Sequence, residues 1–384
     1  MGFAMPKLYI QPLTFAPSPQ AIEGADEMPG AIRLAGTMCY ARDFALIVRS
    51  EAGHVQSRDI VQAPDVAAAL AKLPPALVED GERQWSNLRM AHPAIELQFP
   101  DGSGRTIRLD QPQVMGILNV TPDSFSDGGS FDDDVDTAVG RGVDMLEAGA
   151  AIIDVGGEST RPGASTIWEG DEIRRVIPAI ERLANGGAAV SIDTRKAAVM
   201  EAALEAGARI INDVSGLQYD ERSAEVAAGS GCPVVIMHAP GKGDDLHAGA
   251  KYQNVVLDVF DDLRARRDAA LKAGVKRDNI ILDPGVGFGK TLAENLAIIN
   301  SLPLFHALGH PLLLGVSRKR FIGALSNEAP AEKRLAGSLA VATMALDMGV
   351  QILRVHDAAE TVQAMHVWRG LRDGALTDFS QLLR

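Results

Sequence analysis

Three polar side chains that could bind one ligand follow three separate apolar runs of the chain. Asp193, Asn212 and Asp283 come directly after these runs. Carboxylate and amide groups can hold a flat nitrogen heterocycle, because an Asp matches a paired N–H and amino edge. Asp193 alone could instead cap a following helix, the commoner role of a single Asp in such a place. Three polar ends in one cavity favour a ligand-binding site.

Positive and donor groups concentrate near the C-terminal end of the sequence, in residues 317–320 and 354–356. The net charge of the whole chain is -13, so neither nucleic acid nor an anionic membrane is an expected partner. The cluster therefore predicts a local anion pocket. Arg354 and His356 alternate by two and share one strand face. Solvated surface basics are the alternative, which suits Arg318 and Arg320 better than the others.

Eight short apolar runs, separated by helix-compatible segments, must position these groups. Strands buried on both faces give continuous aliphatic runs, and alternation with helices implies parallel pairing. The pattern predicts an α/β fold, a (β/α)8 TIM barrel with its active site where the strands end. An open doubly wound sheet is the second choice. The runs are 114–118, 151–153, 190–192, 209–211, 233–236, 280–282, 312–314 and 352–353.

The predicted helices span residues 136–148, 169–184, 197–206, 252–273, 293–302, 331–348 and 358–371. A barrel needs about 250 residues, so the 384-residue chain leaves room for a second domain. We predict a small N-terminal α+β domain over residues 1–112 and the barrel over 113–384. The first part contains a strand at 44–48, a helix near 65–73 and a strand at 95–99, but no chemical motif. An appendage that packs on the barrel or on a partner subunit is favoured over a second catalytic domain.

Cysteine content and hydropathy indicate the cellular compartment in which the protein is expected. Cys39 and Cys232 are the only cysteines, and they lie far apart, which disfavours a disulfide scaffold or a cysteine zinc site. No apolar stretch approaches the roughly 20 residues needed to span a bilayer. These features predict a protein of the reducing cytoplasm.

Three loops carry further signals. Residues 119–129 and 156–164 form long polar loops, of the kind that can close over a ligand and exclude water. Residues 283–290 are rich in glycine but lack the spacing of a phosphate-binding loop. Their glycines allow a tight turn that presents Phe288 to an aromatic ligand.

Seven motifs occur in order from about Val114 to the C-terminus: GILNVTPDSFSDGG, DVGGESTRPGA, SIDT, INDVS, DPGVGFGK, GVSRK and RVHD. With them the chain resembles the bacterial dihydropteroate synthase family. The resemblance implies condensation of 6-hydroxymethyl-7,8-dihydropterin diphosphate with 4-aminobenzoate, with Mg2+ as cofactor and a homodimer built through barrel helices. The N-terminal 113 or so residues lie outside it.

The resemblance also implies roles for individual residues. The pterin would contact Asp193, Asn212, Met237, Asp283, Phe288 and Lys319. The diphosphate would contact Asn119, Arg354 and His356, with Asn119 also reaching the metal. The aminobenzoate would contact Thr160, Arg161, Pro162, Phe288, Ser317 and Lys319. The catalytic set would be Asp193, Asp283, Lys319, Arg354 and His356.

Elementary chemistry agrees with these roles. Diphosphate leaves readily once Mg2+, cationic side chains and helix N-termini neutralise its charge. The pterin, helped by nearby carboxylates, stabilises the cationic methylene left behind. The arylamine needs no strong base, so we expect an SN1-like displacement under loops that exclude water.

One segment departs from the family pattern. Ala239-Pro240-Gly241 follow His238, where the family commonly has a Met and a Gln, and the role of residues 241–250 is open. Two other functions stay possible at this point. A pterin-binding methyltransferase module is disfavoured by the anion cluster, and an idle scaffold barrel is disfavoured by the retention of every charged position.

Overall fold

The computed structural model describes residues 6–16, 30–99, 102–120, 131–159, 163–241 and 243–372. Its N-terminal part contains an antiparallel sheet in which β3 pairs with β1, β2 and β4. A separate hairpin, β5 with β6, follows. The elements are β1 (Lys7–Phe15), β2 (Ile32–Arg33), β3 (Tyr40–Arg49), β4 (Val55–Gln62), α1 (Val66–Leu70), α2 (Pro75–Arg89), β5 (Ile95–Gln98) and β6 (Gly104–Ile107).

Eight parallel strands then form one sheet in the order β12-β11-β10-β9-β8-β7-β14-β13. A bridge between Leu282 and Leu312 joins its two ends. The sheet is therefore a closed (β/α)8 barrel, as predicted, and the open-sheet alternative is wrong. The strands are β7 (Gln113–Asn119), β8 (Ile152–Gly156), β9 (Val190–Asp193), β10 (Ile210–Asp213), β11 (Val234–Met237), β12 (Ile280–Asp283), β13 (Leu313–Gly315) and β14 (Ile352–Val355).

The barrel helices are α3 (Phe131–Glu147), α4 (Glu169–Asn185), α5 (Ala197–Glu205), α6 (Ser223–Ser230), α7 (Val255–Ala273), α8 (Leu292–Asn300), α9 (Leu302–Phe305), α10 (Arg320–Ala324), α11 (Leu335–Asp347) and α12 (Ala358–Arg372). Four predicted C-cap glycines have positive φ, at Gly149, Gly207, Gly274 and Gly349. The sequence analysis did not predict α6, because its small residues give almost no apolar periodicity. Among the helices described, none combines the length and apolar character that crossing a bilayer requires.

Side chains alternate between the inside and the outside of the barrel along each strand. The outward ones pack against the helices, as Ile153 and Val155 of β8 do. The first inward layer is wholly apolar and packs on the hairpin of β5 and β6, which closes the bottom of the barrel. That layer consists of Met115, Ile152, Ala189, Ile210, Val235, Ile281, Leu313 and Ile352. Apolar residues on both faces explain why the strands gave uninterrupted aliphatic runs.

The N-terminal sheet shares one apolar core with the barrel helices. Tyr9 of β1 meets Phe260 of α7 edge to face, with ring centroids 5.4 Å apart. The predicted strands at 44–48 and 95–99 are present, whereas the helix near 65–73 is shorter than predicted. Helix α2 was missed because it is largely polar and contains Gly81, which packs tightly against Leu8 and Leu70.

Candidate active site

The second inward layer of the barrel carries polar side chains on five of its eight strands, whereas the first layer is wholly apolar. Because strand side chains alternate, it lies two residues further along each strand than the apolar layer. Its members are Ile117, Asp154, Ser191, Asn212, Met237, Asp283, Gly315 and Arg354. Four predicted site residues therefore share one level of the barrel, and Asn119 and Asp193 lie one level higher. This places them at the carboxyl ends of the strands, where barrel enzymes have their active sites.

Arg354 is the centre of this layer. Its Nε donates to Asp154 Oδ2 at 2.6 Å, and its Nη2 donates to Asp193 Oδ2 at 2.5 Å. Asn212 Nδ2 also donates to Asp154 Oδ2, at 2.9 Å. Asp154 is fully buried, with 0% exposure. The sequence analysis did not assign it to the site, although its spacing of two from Ile152 could have revealed it.

Asp193 does not cap the following helix, so that alternative is wrong. Helix α5 begins after Lys196 without a side-chain cap, and Asp220 accepts the amide of Ala197 instead. Burial raises the pKa of Asp193 to about 7, and the charge of Asp154 adds to the rise, while Arg354 opposes it. Asp193 is thus a carboxyl group that titrates near neutral pH.

Asp283 and Lys319 influence each other electrostatically at the ends of the neighbouring strands β12 and β13. Burial raises the pKa of Asp283, and the positive charge of Lys319 opposes that rise. Burial lowers the pKa of Lys319 to about 8, in spite of the attraction of Asp283. The Lys319 ammonium donates to the carbonyl of Val286 and lies 4.8 Å from the centroid of the Phe288 ring.

The loop after β12 is a tight turn, as its glycines predicted. Gly285 has φ +67, and its amide donates to Asp283 Oδ1 at 2.8 Å. A Cβ on Gly285 would lie 1.8 Å from the carbonyl oxygen of His238. The turn brings Phe288 into an apolar cluster with Val214, Met237, Ala239 and Leu246. Met237 and Phe288 therefore form an apolar wall beside the polar side chains of the second layer.

The other predicted anion-binding groups lie at the same end of the barrel. His356 Nδ1 is 3.2 Å from Ser317 Oγ, and Asn119 is half-buried at the end of β7. Arg318 forms an ion pair with Asp357, and Arg320 is exposed. Thr160, Arg161 and Pro162 lie outside the described residues.

A buried charge network supports the loop between β8 and α4. Glu158 accepts from Arg195 Nε at 3.1 Å, from Lys196 Nζ at 3.1 Å and from the amide of Ile167 at 3.1 Å. Burial tends to raise the pKa of Glu158, but Arg195, this amide and Lys196 outweigh burial and leave the pKa lowered. Since Glu158 and Ile167 stand at the two ends of the loop, the network closes its base. The sequence analysis did not identify this role of Arg195.

A closed parallel barrel with buried carboxylates and an Arg at its mouth defines a barrel enzyme whose ligand site lies at the carboxyl ends of the strands. The family model described as pterin binding enzyme matches residues 115–356. The Bacillus subtilis dihydropteroate synthase is 47% identical over 248 residues, which cover 64% of this chain and 84% of that protein.

Solved structures agree with this similarity. The Xanthomonas albilineans dihydropteroate synthase with 4-aminobenzoic acid is 44% identical, with a TM-score of 0.67 over 73% of this chain and 98% of that chain. The same enzyme in complex with 7,8-dihydropteroate gives 42% identity and a TM-score of 0.65, covering 73% and 99% of the two chains. This chain belongs to the dihydropteroate synthase family of transferases.

Proposed function

We propose that the barrel condenses 6-hydroxymethyl-7,8-dihydropterin diphosphate with 4-aminobenzoate, giving 7,8-dihydropteroate and diphosphate in folate synthesis. Family membership supports the reaction. The observation that carries it in this chain is the convergence of Asp193, Asp283 and Arg354 in one barrel mouth. Carboxylates that could accept hydrogen bonds from a heterocycle lie there beside a cation that suits a phosphorylated tail.

The pterin ring would occupy the second inward layer. Asp193 and Asp283 would accept hydrogen bonds from its N–H and amino groups. Asn212 would supply a side-chain amide beside them. Lys319 would donate to a ring acceptor, and Met237 with Phe288 would cover the faces of the ring. A buried site that hydrogen-bonds its ligand rejects an analogue that lacks the matching groups.

The diphosphate would bind beside Arg354, His356 and Asn119. Two guanidinium nitrogens of Arg354 donate to Asp154 and Asp193, whereas its Nη1 has no partner among the described residues. Arg354 would therefore join the two halves of the substrate, since it orients a pterin-binding carboxylate and faces the leaving group. A planar guanidinium with five donors can serve both.

The site suits an Mg2+ ion whose ligands come partly from the protein and partly from the substrate. Within the described ranges, no group of three or more His, Cys, Asp or Glu side chains is arranged to hold a metal ion. Mg2+ commonly binds through one or two protein oxygens and substrate phosphates, and the half-buried Asn119 offers such an oxygen at the barrel mouth. When bound, the ion would neutralise charge on the leaving diphosphate.

The aminobenzoate would bind against Phe288, Ser317 and Lys319, with Thr160, Arg161 and Pro162 on the neighbouring loop. Its ring suits the Phe288 face, and its carboxylate suits the donors. The reaction would be an SN1-like displacement. Departure of diphosphate leaves a cationic methylene that Asp193 and Asp283 stabilise, and the arylamine then attacks without a strong general base.

The deciding experiment incubates the purified full-length chain with both substrates and Mg2+ and measures diphosphate release. We expect release that depends on 4-aminobenzoate, with 7,8-dihydropteroate as co-product. Chelation of Mg2+ should suppress the reaction. No release in the presence of the ion would refute the proposed function. A homodimer through barrel helices and a cytoplasmic location stay predictions, which light scattering and cell fractionation can check.

A further inference from the structure

We propose that the N-terminal sheet positions the segment between β11 and α7, described in residues 238–241 and 243–254, over the arylamine side of the active site. This role goes beyond the proposed reaction but rests on it for its kinetic consequence. The segment is where the chain departs from the family pattern. The N-terminal sheet lies outside the residues 115–356 that match the family model.

The active-site end of the segment is held by packing and by hydrogen bonds. Leu246 is buried in the apolar cluster around Phe288, and the His247 ring stacks on the Phe288 ring at 4.9 Å with an interplanar angle of 9°. Asp244 Oδ1 accepts from Thr166 at 2.9 Å, and Arg195 donates to the carbonyl of Gly243 at 2.9 Å. Any shift of the segment therefore displaces a wall of the proposed aminobenzoate pocket.

The far end of the segment is its junction with α7, formed by Gln253, Asn254 and Asp258. This junction, called the joint below, is contacted by the N-terminal sheet. Asp258 Oδ2 accepts the amides of Gln253 and Asn254 at 2.8 and 3.0 Å, which fixes the entry of the chain into α7. Arg49, at the end of β3, forms an ion pair with Asp258 at 2.6 Å. The Gln253 side chain donates to the carbonyl of Ala52 at 3.2 Å.

Arg49 is suited to this task by its burial and its number of partners. Its side chain is only 8% exposed, and its Nε donates to the carbonyl of Gly53 at 2.8 Å. Another of the ion pairs that cross this interface lies further along α7, between Arg264 and Asp80 at 3.3 Å. That pair touches neither the joint nor the segment. A variant of Arg264 therefore serves as a control. It reports the general contribution of the interface to stability, whereas a variant of Arg49 also reports the positioning of the segment.

The test compares Arg49→Met with Arg264→Met in the full-length chain. Hydrogen–deuterium exchange is first measured without substrates. We expect faster exchange in residues 243–254 for Arg49→Met and wild-type exchange there for Arg264→Met. With substrates, Arg49→Met should raise the KM for 4-aminobenzoate on the order of tenfold while kcat changes little. Arg49→Lys, which keeps the charge, should recover part of that loss.

Two results would overturn the inference. The first is an Arg49→Met variant whose exchange and KM for 4-aminobenzoate match the wild type. The second is an Arg264→Met variant whose exchange and KM change as much as those of Arg49→Met. If Arg49→Met fails to fold, Gln253→Ala decides, because this exposed side chain contributes only to the joint. The Gln253→Ala variant must then show faster hydrogen–deuterium exchange in residues 243–254 than the wild type. A wild-type chain without turnover would sink the proposed function alone, since the exchange comparison needs no substrate.

Discussion

Arg354 Nη2 donates to Asp193 Oδ2 across 2.5 Å, although 161 positions separate the two residues in the sequence. The same guanidinium holds the fully buried Asp154. One cation thus donates to two carboxylates inside the barrel. Removal of either partner of such a buried pair leaves an uncompensated charge.

Arg354→Met should therefore destabilise the fold by about 3–5 kcal/mol and abolish turnover. Adding Asp154→Asn should recover part of the stability, because the buried charge is removed, but none of the activity. Urea unfolding and diphosphate release measure the two effects. A single variant as stable and as active as the wild type would disprove the central position of Arg354.

The pH dependence of activity should show two limbs. The acid limb of kcat/KM is expected near pH 7, because the proposed pterin site needs an ionised Asp193 as acceptor. The alkaline limb is expected near pH 8, where Lys319 loses its proton. Lys319→Arg should move the alkaline limb far upward, because a guanidinium stays charged. A flat profile across this range in the wild type would contradict both assignments.

The stability contribution of Asp193 has a definite sign. Its pKa rises from the ordinary 3.8 to about 7 on folding, so the native state binds the extra proton between these values. The free energy of unfolding of the wild type, relative to Asp193→Asn, should fall as the pH rises through that window. Denaturant titrations at several pH values measure this difference. A free energy of unfolding that rises with pH would show that the effect of Arg354 on the pKa of Asp193 outweighs the effect of burial.

Arg195→Met should loosen the loop between Glu158 and Ile167. Glu158 loses one of two cationic partners, so we expect a loss of about 1–3 kcal/mol in stability. The KM for 4-aminobenzoate should rise more than the KM for the pterin substrate, because the loop carries Thr160, Arg161 and Pro162. Arg174→Met, whose ion pair with Asp171 lies on the exposed face of α4, is a matched control. Equal effects on the two KM values would argue against the assignment of this loop.

Gly285→Ala should disrupt the turn that holds Asp283. The position has φ +67, and the added Cβ would lie 1.8 Å from the carbonyl oxygen of His238, so both strain and a clash oppose the change. We expect a loss of about 2–4 kcal/mol and impaired pterin binding. Gly187→Ala is the control, because Gly187 has φ +80 but no neighbour within 4 Å of an added Cβ. Thermal unfolding of the two variants, with calorimetry of pterin binding, separates strain from the clash.

The local pattern determined the barrel and the strand ends that carry its chemistry. Aliphatic runs such as 280–282 are buried on both faces in any closed parallel barrel, so their continuity predicted parallel strands. A polar residue such as Asp283 directly after a run then predicted the active-site face, because parallel strands end at one edge. The motifs supplied the family and hence the expected roles.

Partnerships between distant side chains could not be predicted in this way. Asp154 looked like an ordinary strand end, and only the inward alternation from Ile152 together with barrel closure brings it to Arg354. The joint of Arg49 with Asp258 likewise depends on how the N-terminal sheet packs on α7. A sequence fixes the spacing of residues along one strand or helix. Contacts across the barrel depend on closure, register and packing, so only the tertiary structure decided which charges meet.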